Sequence, residues 1–300
     1  MSESQLSVAA TRQPIVDAAD PRLSALMVVP ELKTHILDLR DINKVFVNDA
    51  LVTKALDRIS FAVERGEFVS IIGPSGCGKS TLFKIIGGLD QDYNGEVRIE
   101  GKVTTGYHPS IGMVFQEEST FPWRTVAENV AFPLEIAGMS KADRFNVARE
   151  FIQLVGLQGY EDRYPSQLSG GMRQRVAIAR TLTRKPHLLL MDEPFAALDE
   201  QTRRLLGEKV LQIQQELKQT TILITHSISE AVQLSDRIIV MTFRPGRSKR
   251  IVSINLPRPR SADVVGSEQF ARYVADIWAD IREEATRGMD YGSTRANGET

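Results

Sequence analysis

The sequence predicts an α/β fold whose mainly parallel sheet is covered by helices on both faces, and three observations carry that prediction. The runs HLLLMDEP (187–194), TTILITH (220–226) and DRIIVMTF (236–243) are short, continuously apolar and rich in Leu or β-branched residues. That is the pattern of strands buried on both faces rather than half-buried ones, which alternate. Segments of helical period separate them. Finally, a glycine-rich loop at 73, the pair Asp192-Glu193 and His226 each fall just after a strand, at the sheet edge where open parallel sheets collect ligands.

Taken in order, residues 1–33 mix small, polar and proline residues without a sustained period and read as a flexible N-terminal arm. From Ile36 the pieces HILDLRDINKVF and LDRISFAVERGEFVSII are strand-like, and TLFKIIGGL after the loop at 73–80 has helical spacing. NGEVRIEG (94–101) reads as a hairpin arm opened by Asn-Gly, and IGMVF (111–115) as a short buried strand. Residues 124–184 are mostly helical in period, with Pro133, Gly138 and the YPSQLSGG loop as expected interruptions. Near the end, Phe270, Tyr273, Val274, Ile277, Trp278 and Ile281 share one helical face, expected to pack on the chain's own body, with a partner contact as the alternative.

Composition narrows the function classes. A chain of 300 residues with 42% hydrophobic and 25% charged residues and a net charge of −1 has ample core and an ordinary globular surface. Bulk attraction to a polyanion needs a strongly basic chain, so no nucleic-acid partner is expected. No uncharged apolar run approaches the roughly 18 residues of a membrane span. MSESQLSVAATRQP lacks the basic start and apolar run of a secretory signal. The single cysteine, Cys77, leaves no intramolecular disulfide and fits a reducing compartment.

The chemistry concentrates in five places. GPSGCGKS (73–80) is a phosphate-binding loop set between a strand and a helix: its glycines let N–H groups curl around phosphates, Lys79 brings charge to them, and the Ser80 hydroxyl takes a place on Mg²⁺. Asp192 is suited to holding that ion through its water shell, and Glu193 to orienting or deprotonating an attacking water. His226 is placed to contact the terminal phosphate, and Gln116 to reach the metal or the water. Cys77, at a helix start beside Lys79, is expected to have a lowered thiol pKa but no nucleophilic role. LSGGMRQR (168–175) is a second helix start of the anion-binding kind, capped by Ser169, with no acid, base or nucleophile beside it.

Together these residues resemble the nucleotide-binding subunit of an ATP-binding-cassette (ABC) transporter, over residues 36–260 in order. Phe46 resembles the aromatic that stacks on adenine. Gly73, Pro74, Ser75, Gly76, Cys77, Gly78, Lys79, Ser80 and Thr81 resemble the Walker A loop, and Gln116 the Q-loop. LSGGMRQR resembles the family signature, LLLMDEP the Walker B strand, ALD (197–199) the D-loop and His226 the switch histidine.

The resemblance implies a P-loop, RecA-like core with an antiparallel β subdomain and an inserted helical subdomain at about 117–185. The whole cassette would span 34–260, followed by a C-terminal amphipathic helix and tail at 261–300. It also implies ATP and Mg²⁺ as cofactors. Two copies would dimerise head to tail, so that Ser169, Gly170 and Gly171 complete the partner's site; Met172 stands where the commonest signature has Gln. Transport would further require transmembrane permease subunits docking beside the Q-loop, near Phe121, Pro122 and Trp123, and an external solute-binding protein. The chain would then sit peripherally on the cytoplasmic side of the membrane.

FPWRTVAENV and RPGR…LPRPR (244–260) resemble the importer subgroup for nitrate, sulfonates, taurine and related small solutes; cassettes for pyrimidine vitamin precursors belong to the same subgroup. A soluble ABC ATPase working away from membranes is the alternative. The 244–260 stretch holds six basic residues and no acid, which reads as a solvated surface or as a segment near anionic lipid headgroups.

Overall fold

Two sheets and a set of helices make up the computed structural model, which describes residues 35–48, 51–117, 119–196 and 198–296. The expected arm at 1–33 lies outside the described residues, as does Ala197 of the ALD segment. Strands β1 (Leu37–Asn48), β2 (Leu51–Val63), β4 (Asn94–Ile99) and β5 (Lys102–Val103) form an antiparallel sheet in the order β2-β1-β4-β5. The β4–β5 turn is made by Glu100 and Gly101, both at positive φ, which matches the twist of a tight hairpin. Asn94-Gly95 instead opens β4 itself.

The second sheet holds β3 (Phe68–Ile72), β6 (Ile111–Val114), β7 (Leu188–Asp192), β8 (Thr220–Ile224), β9 (Arg237–Met241) and β10 (Ser248–Ser253), in the order β10-β9-β3-β8-β7-β6. All its pairings are parallel except β10 on β9. Every residue of β3, β7 and β8 is buried, as their continuous apolar runs require. The two-residue period divides them between two cores. Leu188 and Leu190 face the core shared with the antiparallel sheet, beside Ile71, Leu82 and Ile224. Leu189 and Met191 face the helical core with Leu223 and Phe195. Each such side chain stabilises the fold by ~1.5–3 kcal/mol, which anchors the loops at the strand ends.

Helix α1 (Lys79–Ile86) follows β3 directly. Between β6 and β7 come α2 (Val126–Ile136), α3 (Lys141–Leu154), a 3₁₀ turn (Pro165–Gln167) and α4 (Gly170–Leu182). Thr125 and Glu128 form a reciprocal capping box at the start of α2, fixing where it begins. Pro133 does not interrupt this helix, which runs through it to Ile136. Burial of Val126, Ala127, Val130, Ala131 and Leu134 against α3 and α4 outweighs the ~3 kcal/mol cost of an internal proline. Helices α5 (Glu200–Leu217) and α6 (Ile228–Leu234) lead into and out of β8, and α7 (Ala262–Val265) precedes the long α8 (Glu268–Ala296). Among the described residues no helix is long and apolar enough to cross a membrane.

The apolar stripe of α8 packs on the body: Phe270 and Ile277 are buried, with Tyr273, Val274 and Ile281 against the same cluster as Ile238 and Val240. Trp278 departs from it, 55% exposed.

Four of the six basic residues in the 244–260 stretch pair with acids of the fold. Arg247 pairs with Asp57 (2.6 Å) and Lys249 with Glu284 (2.8 Å) and Glu283. Arg250 meets Asp276 and Asp280, both at 2.8 Å, and Arg258 meets Asp236 at 2.6 Å. Arg260 is buried and donates to the carbonyls of Val232, Gln233 and Ser235; burial pulls its guanidinium pKa down to about 10. The partners of Lys249 and Arg250 are supplied by α8, whose carboxylates at 276, 280, 283 and 284 recur at helical spacing.

Candidate nucleotide site

The loop between β3 and α1 owes its shape to two glycines. Gly76 and Gly78 have φ of 75° and 102°, a region closed to most side chains. At Gly78 a Cβ would also stand 2.7 Å from Leu56 Cδ2 and 3.1 Å from the Ala55 carbonyl. Gly78 caps α1 without a side-chain bond, leaving the helix-end N–H groups directed at the cleft. Lys79 is buried, and its Nζ donates to the carbonyls of Gly73 (2.8 Å) and Pro74 (3.1 Å) across the loop.

The cleft above the loop has a volume of ≈ 420 Å³ and is lined by Phe46, Thr53 and Ala55 on one side, Ser75 to Thr81 (apart from Cys77) below, and Gln116, Glu193 and Arg244 around the rim. Phe46 is directly opposite Thr53 in the β1–β2 register. Lys44 lies 4.9 Å from its ring centroid and is itself tied to Asp90 at 2.9 Å. An aromatic face held at the mouth of a phosphate loop suits a nucleobase.

Asp192 ends β7 in a buried position; burial pushes its carboxyl above the usual range, against the lowering influence of the nearby Ser80 hydroxyl. Its Oδ1 is buried without a hydrogen-bond partner in the described structure. Asp192 is not itself among the residues that line the cleft, but its orphaned, desolvated carboxylate oxygen, with the Ser80 hydroxyl nearby and the Gln116 amide at the cleft rim, makes a hard-oxygen set that fits Mg²⁺. Among the described residues no cluster of three His, Cys, Asp or Glu could hold a metal alone. The remaining ligands would thus be phosphate and water oxygens, the usual arrangement for this ion.

Glu193 has φ 44°, costly for a non-glycine residue. Its N–H donates to the Ile224 carbonyl across the β7–β8 edge at 2.8 Å, which holds the turn. Its Oε2 meets His226 Nδ1 at 3.2 Å. His226 does not line the cleft among the described residues; it reaches it through Glu193.

One expectation changes. Cys77 is fully buried, and burial raises its thiol pKa more than Lys79 and the loop N–H groups lower it, so the low-pKa reading from the helix start fails. Ser169, Gly170 and Gly171, assigned to a second copy's site, do not line this chain's own cleft among the described residues. Ser169 caps α4, accepting from the Met172 N–H at 3.3 Å, and its side chain is exposed. Met172 turns inward, half-buried against the helical core, which explains why an apolar residue serves there. The sequence reading passed over Arg244 as a site residue, although the RPGR motif that contains it was in view; nothing in the motif says that it folds back 168 positions to the Gly76 carbonyl.

The profile of the ABC transporter family matches residues 56–196. Among curated proteins, an uncharacterized ABC transporter ATP-binding protein of Methanocaldococcus jannaschii is 49% identical over 84% of this chain and 94% of its own length. An aliphatic sulfonates import ATP-binding protein of Bacillus cereus is 43% identical (85% of this chain, 96% of the relative). A nitrate import ATP-binding protein of Synechocystis is 42% identical (83% and 96%). Among solved structures, a dimeric ATP-binding cassette in a post-hydrolysis state bound to ADP and Pi matches with TM-score 0.66 and 34% identity, covering 73% of this chain and 99% of that one. Another, cbiO1 of Clostridium perfringens, part of the ABC transporter complex cbiONQ, matches with TM-score 0.68 and 28% identity (80% and 94%). With its phosphate loop, Walker B acids and signature helix end in family order, the chain belongs to the ABC transporter family as an ATP-binding ATPase subunit.

Proposed function

We propose that this chain is the ATP-hydrolysing, energy-coupling subunit of an importer for nitrate, sulfonate, taurine or a related small solute. In this reading it sits peripherally on the cytoplasmic side of the membrane as a head-to-tail dimer attached to transmembrane permease subunits, which an external solute-binding protein supplies. The observation that carries the reading is the separation of two anion-binding loops. The Walker A cleft holds a nucleobase platform, a lysine and a base, while the Ser169 helix end faces solvent away from it. The sulfonate and nitrate import relatives support the solute class.

In the proposed cycle the adenine stacks on Phe46 and the phosphates lie along the N–H groups of residues 75–80. Lys79 exchanges the Gly73 and Pro74 carbonyls for phosphate oxygens. Asp192, Ser80 and Gln116 would hold Mg²⁺, which when bound neutralises charge on the phosphates. Glu193 takes the proton of the attacking water, and His226, bonded to its carboxylate, keeps that group aimed at the terminal phosphate. Ser169 with the Gly170 and Gly171 N–H groups of a second copy closes the site.

The permease face is proposed beside Gln116. There Phe121 is half-buried against Phe132 (centroids 4.7 Å) and Arg180 (5.0 Å), sealing the helices, whereas Trp123 is 71% exposed and available to a partner.

The test is Glu193→Gln. Hydrolysis is expected to fall by about 10³-fold while ATP binding persists and ATP drives the chain to a dimer in size-exclusion chromatography. Turnover near the wild-type rate removes Glu193 from its role, and a monomer under saturating Mg-ATP removes the shared site.

A further inference from the structure

The segment after β9, residues 242–247, is a strap across the outer face of the phosphate loop. Gly246 donates its N–H to the Ala55 carbonyl (2.8 Å) and accepts from the Asp57 N–H (2.9 Å). It packs so closely that a Cβ there would stand 2.1 Å from the Cys77 carbonyl oxygen. Thr242 Oγ1 donates to the Pro245 carbonyl (2.8 Å) and accepts from the Arg247 N–H (2.9 Å), which closes the turn. From this turn Arg244 reaches the rim of the cleft, and its Nε donates to the Gly76 carbonyl at 3.0 Å.

The strap is held from behind by α8. Glu284, 1% exposed, accepts the Phe243 N–H at 3.0 Å and the Lys249 ammonium at 2.8 Å. Gly288 sits under the Phe243 ring, where a Cβ would come within 3.1 Å of Cε2. One unbroken line of contacts therefore runs from the C-terminal helix through Glu284, Phe243 and Arg244 to the middle of the phosphate loop.

We propose that Arg244 is a positioning residue for nucleotide binding and that Glu284 of α8 is its tether. The proposal rests on the reading of the cleft as the ATP site. In a trans peptide the C=O and the following N–H point in opposite directions. Fixing the Gly76 carbonyl outward with a charge-assisted bond aims the Cys77 N–H inward, toward the phosphates. That N–H is otherwise held only by a long 3.3 Å turn bond to the Pro74 carbonyl, so the loop does not fix this peptide strongly by itself. ATP affinity then depends on a helix whose residues never enter the cleft.

The experiment compares wild type, Arg244→Ala, Arg244→Lys, Glu284→Ala and the Arg244→Ala/Glu284→Ala double variant in the full chain. It measures the Kd of a fluorescent ATP analogue, and KM and kcat for ATP. Arg244→Ala is expected to raise Kd and KM about tenfold with kcat within about twofold and an unchanged melting temperature; Arg244→Lys recovers part of the loss. Glu284→Ala shifts Kd and KM in the same direction, and the double variant is no worse than Arg244→Ala alone, because both act through one bond. Where Glu284→Ala does not fold, Gly288→Ala displaces Phe243 more gently and is expected to raise KM about threefold. A KM for Arg244→Ala equal to wild type overturns the positioning role, and additive losses, or an unchanged Gly288→Ala, overturn the tether. Failure of the wild-type chain to bind ATP would strike the nucleotide site itself.

Discussion

The Walker A loop and the signature helix end are both helix starts rich in N–H groups, yet the chain treats them in opposite ways. The first is finished internally: Leu56 and Ala55 press on Gly78, Gly246 abuts the Cys77 carbonyl, Arg244 holds Gly76, and Lys79 spans the loop. The second ends in an exposed serine over a packed base, where a Cβ on Gly171 would meet Thr202 at 3.0 Å and Leu198 at 3.4 Å. The firm backing and the exposed outer side are what the proposed approach of a second copy to α4 requires. A site completed within one molecule needs no such face.

The sharpest way to break that contrast is Ser169→Glu, which puts a carboxylate where the partner's terminal phosphate would come. ATPase turnover should drop by about 10²-fold, while the Kd for ATP in the isolated chain stays within about twofold of wild type. A parallel loss of both would make the signature loop part of its own chain's site. Next is Asp192→Asn. Burial raises the Asp192 carboxyl above its ordinary value, so its contribution to stability is greatest at acid pH, where it is protonated, and is lost as pH rises through the folded pKa. At neutral pH without nucleotide the amide should therefore raise the melting temperature by about 2–4 °C, an effect that vanishes near pH 4, while hydrolysis is lost. A lower melting temperature at pH 7 would mean that the buried charge is already compensated. The smallest effect belongs to Met172→Gln: it buries an amide among apolar neighbours and should cost about 1 kcal/mol by chemical denaturation, with turnover within about twofold. A tenfold change in turnover would give this side chain a role toward the nucleotide that its inward packing denies.

What could be read beforehand divides along the same line. The parallel strands were legible because apolar runs of five residues have few alternatives, and the phosphate loop because its glycines and lysine have a fixed spacing. Pro133 misled because propensity is local while the burial of Val130 and Leu134 is tertiary. Cys77 misled for a related reason: the helix start and Lys79 are visible in sequence, but the desolvation that outweighs them comes from the strands above. The basic stretch at 244–260 could not be read from its own residues, since the acids that neutralise it lie elsewhere in the chain: Asp57 on β2, Asp236 before β9, and Asp276, Asp280 and Glu284 on α8.

The bond from the Glu193 N–H to the Ile224 carbonyl has a mechanical consequence. Asp192 and Ile224 are already register partners in β7 and β8, so the backbone carrying the base and the backbone leading to His226 are cross-braced at the last possible point. Neither can slide relative to the other without breaking the sheet edge. The 3.2 Å separation of the two side chains is then adjustable only by torsion about their own χ angles, a motion of picoseconds to nanoseconds. A slower event that sets the pace of turnover is then expected outside this pair; in the proposed dimer it is the approach of a second copy to the exposed end of α4.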